Sequence, residues 1–110
     1  MKQLGKITRA AFGMGGYQNA MIGLHISFEG EWGEVNFAKE TWDPEMTECS
    51  EHAQWTEEDR SKKLDEIVRY VSKILSDAKV STVEDLKGTP VEVEFDGQRL
   101  KSWRVLTEVL

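Results

Sequence analysis

Several residues that often fix a fold or a chemistry are scarce in this 110-residue chain: it has one cysteine, two prolines, two histidines, and 14 basic residues against 20 acidic ones. A lone cysteine, Cys49, makes no internal disulfide, which fits a reducing compartment and excludes a stapled scaffold. No apolar run approaches the ~20 residues a membrane helix needs. The start, Met1-Lys2-Gln3-Leu4-Gly5-Lys6, lacks the apolar stretch of a signal peptide. The expected location is the cytoplasm, without membrane association. Low-complexity tracts are absent, and 39% hydrophobic with 31% charged residues is an ordinary globular composition. The length suits one domain spanning residues 1–110, with a single modest core.

The shortage of bases sets the formal net charge at −6. This argues against direct binding to nucleic acid, which rests on Lys and Arg neutralising phosphates. Between Glu29 and Asp59 stand eleven carboxylates and one base, Lys39, so this segment alone carries −10 and the remainder is net positive. Three of the four tryptophans, Trp32, Trp42 and Trp55, lie in the same segment.

The spacing of Leu64, Ile67, Val68, Val71, Ile74 and Leu75 predicts a helix from Glu57 to Asp77 with one apolar stripe. Thr56 is its N-cap, Asp59 takes the capping-box position, and Glu57, Glu58 and Asp59 complement the helix dipole. Trp55 precedes the cap, where a hydrophobic staple wants an apolar residue at position 60. Arg60 stands there instead and is expected to stack on the indole. Upstream, Ile22, Leu24, Ile26 and Phe28 alternate with Gly23, His25, Ser27 and Glu29, which predicts a strand buried on one face. A strand from Lys6 to Phe12, a flexible connection from Gly13 to Asn19, and a third strand from Trp32 to Ala38 complete a meander. Downstream, a short turn from Ser81 or Thr82 to Leu86 is ended by Gly88 and Pro90. Val91, Val93 and Phe95 then alternate with glutamates, Asp96-Gly97 suits a type I′ turn, and Gln98 to Val109 returns. The order βββ-α-ββ makes the expected fold class α+β: an antiparallel sheet of about five strands with one long helix packed on one face.

No motif in the chain fixes a reaction. Gly13, Gly15 and Gly16 match neither the dinucleotide fingerprint nor a P-loop, and they lead into a strand where those motifs lead into a helix. Cys49 and His52 offer too few ligands for zinc, and no third group orients them as a nucleophile pair. His52 is expected to pack or hydrogen-bond near the helix start. His25 shares a polar strand face with Ser27 and Glu29 and has no acid-base partner in the pattern. The carboxylates lack calcium-loop spacing, and Asp43-Pro44-Glu45 reads as a local helical start. The chain is therefore expected to be no enzyme and to carry no metal and no cofactor.

A surface remains. Tryptophans are typical interface anchors, and Trp42 and Trp55 flank an irregular stretch whereas Trp32 and Trp103 fall in expected strands and read as buried. The expected partner-binding set is Glu29, Glu31, Glu34, Glu40, Trp42, Asp43, Glu45, Glu48, Glu51 and Trp55.

Gly16-Tyr17-Gln18-Asn19-Ala20-Met21, Trp55-Thr56-Glu57-Glu58-Asp59-Arg60 and the ending Lys101-Ser102-Trp103-Arg104-Val105-Leu106-Thr107-Glu108-Val109-Leu110 resemble small bacteriophage and prophage proteins that carry no assigned activity. The likeness spans most of the chain and transfers no catalytic residue. It implies life in the bacterial cytoplasm during infection, where small acidic phage proteins bind and inhibit host proteins. The expectation is thus a non-enzymatic phage-encoded binding protein, of anti-defence or host-takeover type, docking its acidic, Trp-bearing segment on a basic host protein. Two readings from other classes stand beside it. One is a small-ligand or metal-binding protein using the glycine stretch with His25, or Cys49 with His52. The other is a virion structural or assembly component, in which an open sheet edge pairs subunits into a homo-oligomer.

Overall fold

A long strand with one break in its register organises the sheet. In the computed structural model, which describes residues 1–110, strand β1 (Lys2–Gly15) lies at the centre. On one side are β2 (Met21–Gly30) and β3 (Gly33–Trp42), and on the other β4 (Pro90–Asp96) and β5 (Arg99–Val105). All neighbours are antiparallel, in the order β3-β2-β1-β4-β5. Helix α1 (Glu57–Ala78) carries the chain from β3 across one face of the sheet to a 3₁₀ turn at Val83–Leu86, and so to β4. The chain has the α+β class and the βββ-α-ββ order that its hydrophobic patterns predict.

Strand β1 pairs with β4 through Lys2–Lys6 and with β2 through Lys6–Gly15, and between Ile7 and Arg9 its register against β2 slips by one residue. This bulge at Thr8 changes which positions face the helix. Ile7 before it, and Ala10, Phe12 and Met14 after it, stand opposite Phe28, Ile26, Leu24 and Ile22 on the same side of the sheet. A strand whose inward positions change parity shows no clean alternation, so the sequence suggests only Lys6–Phe12 for what is a 14-residue strand. Gly13, Met14 and Gly15 belong to it, and the connection shrinks to Gly16–Ala20 with a 3₁₀ turn at Tyr17–Asn19. Strand β3 likewise runs to Trp42 rather than Ala38. Trp32 is not in it: Glu31 and Trp32 form the two-residue turn between the paired Gly30 and Gly33, where Gly33 takes a φ of 109°. The final strand ends at Val105, and a 3₁₀ turn at Thr107–Val109 replaces the rest of the predicted return.

The core forms on one face. Ile7, Leu24, Ile26, Phe28, Val91, Val93 and Val105 of the sheet meet Ile74 and Ala78 of α1 and Val83 and Leu86 of the 3₁₀ turn. Five strands span roughly 20 Å and a helix covers only about 10 Å, so the sheet coils. Trp103 on edge strand β5 thereby reaches Phe28, at 4.8 Å between ring centroids, and Phe37 on the opposite edge strand β3, at 5.8 Å. Tyr70 of α1 packs on both Phe37 and Trp103. At another end of this core Trp32 donates its N–H to Leu4 O at 3.0 Å and packs edge-on against Phe95. Its indole lies over Gly5 and Gly30, where a Cβ would stand 3.0 and 2.4 Å from the ring, so neither position admits a side chain without displacing it.

Helix α1 starts as expected, with both hydrogen bonds of the capping box in place between Thr56 and Asp59, at 2.9 and 3.0 Å. It ends at Lys79, whose φ of 60° supplies the left-handed cap that glycine usually provides. Its fully buried positions, Arg60, Ile67, Ile74 and Ala78, trace a narrower line than predicted. Val68 is 63% exposed, because a coiled sheet grips a narrow stripe of the helix.

Burial within the aromatic cluster pushes the Tyr70 phenol up to about 12, opposed in part by the nearby Trp103 N–H. The stability this contributes is complete below the ordinary phenol value near 10 and is lost as pH rises through the folded value near 12. Tyr70 is expected to ionise near 12 in an ultraviolet titration, and Tyr70→Phe is expected to abolish that late step. Absence of a phenol step near 12 would contradict the assignment.

Candidate functional site

The ten residues expected to bind a partner do not share one surface. Glu29, Glu31 and Glu34 sit at the β2–β3 hairpin, while Asp43, Glu45, Glu48, Glu51 and Trp55 lie in the connection from β3 to α1. Ten residues of extended strand hold the two groups roughly 30 Å apart. At the hairpin, Glu29 stands directly between Lys6 and Glu34 across the sheet.

The connection after β3 is built by local hydrogen bonds and one arginine. Asp43 Oδ2 accepts from the N–H groups of Glu45 and Met46, each at 3.0 Å, and Asp43 O accepts from Thr47 N at 3.0 Å. This acid is therefore used locally, as its sequence context indicates, but residues 44–46 form a single hydrogen-bonded turn rather than the start of a helix. The following residues have no regular structure and are tied to α1 by Arg60, whose side chain is only 5% exposed. Arg60 Nη1 donates to Thr47 O at 2.6 Å and to Asp43 O at 3.5 Å, and Nη2 donates to Glu57 Oε1. Its guanidinium lies 4.8 Å from the Trp55 ring centre, the stacking that replaces an aliphatic staple. An aliphatic residue would fill the same space and leave both carbonyls without these donors.

Cys49 donates its S–H to Trp55 O at 3.1 Å, while His52 is exposed and lies 3.4 Å from Glu51. His52 thus does not pack against the helix start, and the thiol and imidazole do not meet. Trp55 is occupied by Arg60, and Trp42 packs edge-on against Tyr17 at 6.3 Å. The outer side of the connection presents Glu45, Glu48, Glu51 and an exposed Met46. Glu45 and Glu48 have no basic partner, and neither have Glu29, Glu31 and Glu34 at the hairpin, whereas Asp65 pairs with Arg69, Asp77 with Lys73, and Glu92 and Glu108 with Arg104. The Arg104 hydrogen bond holds the Glu108 carboxyl down near 2.

Glu40 belongs to neither acidic group. It lies on the sheet face away from α1, since its neighbour Lys39 reaches over the ring of Tyr70 on the helix side. There its Oε2 comes within 3.5 Å of His25 Nδ1, and His25 Nε2 lies 3.3 Å from Gly13 O. Two glycines make room for the pair: a Cβ on Gly15 would stand 2.8 Å from the imidazole, and one on Gly16 would stand 2.8 Å from the carboxylate. Glu40 Oε2 is buried and accepts no hydrogen bond. Sequence reading places His25 correctly on a polar face but misses its partner, because their meeting depends on the β2–β3 register that sets His25 opposite Ala38. The consecutive Gly15-Gly16 was the available signal. A shallow groove of about 420 Å³ beside the pair is lined by Arg9, His25, Ser27 and Asn36 among others. Nowhere do three His, Cys, Asp or Glu side chains converge on a common centre.

Comparison of the chain with protein-family models, with curated proteins and with solved structures finds no match. The functional reading rests on the geometry of the molecule itself.

Replacing Arg60 by Met keeps much of the volume and removes the donors to Thr47 O and Asp43 O. Arg60→Met is expected to cost about 2 kcal/mol in urea unfolding. Glu57→Gln, at a position 63% exposed, is expected to cost less than about 0.5 kcal/mol. Equal costs would mean that the arginine acts only through its ion pair.

Proposed function

We propose that the protein is a non-enzymatic binding protein whose acidic connection between β3 and α1 docks on a basic surface of a partner protein. The observation that supports this reading is Arg60 buried beneath that connection. Taking a guanidinium out of water costs several kcal/mol unless its donors are used. Here they hold the backbone of an irregular segment, which a passive spacer does not need. The result is a fixed arrangement of Glu45, Met46, Glu48 and Glu51 before any partner arrives, and such preorganisation lowers the ordering cost of docking. Carboxylates without basic partners favour rapid encounter with a positive surface, and an exposed methionine adds an adaptable apolar contact. Trp42 and Trp55, engaged inside the molecule, brace this surface from below. In a phage protein of the kind the sequence resembles, the partner is a basic host protein of the bacterial cytoplasm, and its docking would inhibit it.

The test compares capture of partners from a bacterial lysate at low and high salt. The wild type is set beside a loop variant, Glu45→Lys with Glu48→Lys and Glu51→Lys, and a hairpin variant, Glu29→Lys with Glu31→Lys and Glu34→Lys. Salt-sensitive capture is expected for the wild type and the hairpin variant, and its loss for the loop variant. Capture that survives in the loop variant, or is lost equally in both, contradicts the proposal.

A further inference from the structure

Strand β1 has a neighbour on each side only as far as Ile7, where Ile7 N donates to Thr89 O and Gly88 N donates to Ile7 O. From Arg9 to Gly15 it pairs with β2 alone, and no strand pairs with its other edge. An open edge is a template for another strand, and edges are usually guarded by charge. The two outer strands carry more charge: β3 has Glu34, Lys39 and Glu40, and β5 has Arg99, Lys101 and Arg104. The free half of β1 reads Arg9-Ala10-Ala11-Phe12-Gly13-Met14-Gly15, with a single charge at its start. Phe12 and Met14, both facing the helix side, are 47% and 41% exposed.

We propose that this edge pairs with the same edge of a second copy of the chain, antiparallel about a two-fold axis at Phe12, so that two sheets join into one. The sizes of the side chains fit this register. Phe12 meets Phe12 of the second copy, Ala10 lies opposite its Met14, and Ala11 lies opposite its Gly13, so large residues face small ones across the pair. The lengths fit as well, because the free stretch is bounded by Gly88–Thr89 at one end and at the other by Gly16, where the chain leaves the sheet. Charge supplies the third argument. Arg9 falls opposite Gly15 of the second copy, beside the partly exposed Glu40 carboxylate that lies over Gly16. The incoming guanidinium is a counter-charge to that carboxylate, and the pairing sets no acid against another in a chain that carries −6.

The test is the mass of the protein in solution by sedimentation equilibrium over a dilution series. A dimer that dissociates on dilution is expected for the wild type. Phe12→Lys and Phe12→Glu each set like charges on the axis, at a position exposed enough to leave the fold intact. Each variant alone is expected to be a folded monomer by circular dichroism, and an equimolar mixture of the two is expected to regain the dimer mass. Arg9→Gln is expected to weaken the dimer about a hundredfold, the effect of losing the two charge-assisted contacts related by the axis. A wild type that is monomeric throughout, a dimer that persists in both Phe12 variants, or a mixture that stays monomeric overturns the proposal. An undiminished dimer in Arg9→Gln overturns the register.

Discussion

One helix has to close one face of five strands, and the sheet meets that demand by coiling until its two edge strands come together under Tyr70. Trp103 is the bridge, touching Phe28 and Phe37 from the far edge. Its buried indole N–H lies near the Tyr70 phenol but makes no well-formed hydrogen bond, a cost of about 1–3 kcal/mol. Burying an indole of 150–250 Å² returns about 4–6 kcal/mol at 25 cal/mol per Å², so the ring belongs inside despite its unsatisfied donor. Once the edges meet, the line of α1 is fixed against β3, and the first turn of the helix comes to rest beside the end of that strand. Arg60 is thereby placed under the connection that β3 feeds. The proposed docking surface is in this sense a consequence of how the core closes.

The opposite face of the sheet follows different rules. Gly13, Gly15 and Gly23 on β1 and β2, with Ala11 and Ala38, keep it low, and the room above Gly15 and Gly16 is taken by His25 and Glu40. Gly23 has a further reason: a Cβ there would lie 2.2 Å from Lys39 O, so the close approach of β2 and β3 at this point requires glycine. Tight coiling on the core side and small residues on the open side are two requirements of one curvature.

What could be read in the sequence was what local physics decides. The Thr56–Asp59 capping box, the stacking of Arg60 on Trp55 and the one-sided strand around Leu24 each depend on residues within a few positions of one another. So does the β4–β5 hairpin, although its two loop residues are Gly97 and Gln98 rather than the expected type I′ pair Asp96-Gly97, because Asp96 stays in β4 opposite Arg99 and only Gly97 takes a positive φ. Features set by register or by strand length were not legible. The bulge at Thr8 hid the length of β1. The extra residues of β3, Lys39 to Trp42, carried the acids after it away from those before it and turned Glu40 toward His25. Whether the edge beyond Arg9 is open depends on where β4 begins, which no local pattern announces. A segment that reads as one acidic block is, in space, two separated groups and one carboxylate turned onto the open face of the sheet beside His25.

The central claim is that a buried arginine fixes an otherwise irregular acidic segment in one conformation. Backbone ¹⁵N heteronuclear NOE values from Asp43 to Trp55, measured for the wild type and for Arg60→Met, test it directly. The expected result is a wild-type segment as rigid as α1 on the picosecond-to-nanosecond timescale, with values that drop in Arg60→Met while the sheet is unchanged. A segment already mobile in the wild type, or one equally rigid without the arginine, would contradict it.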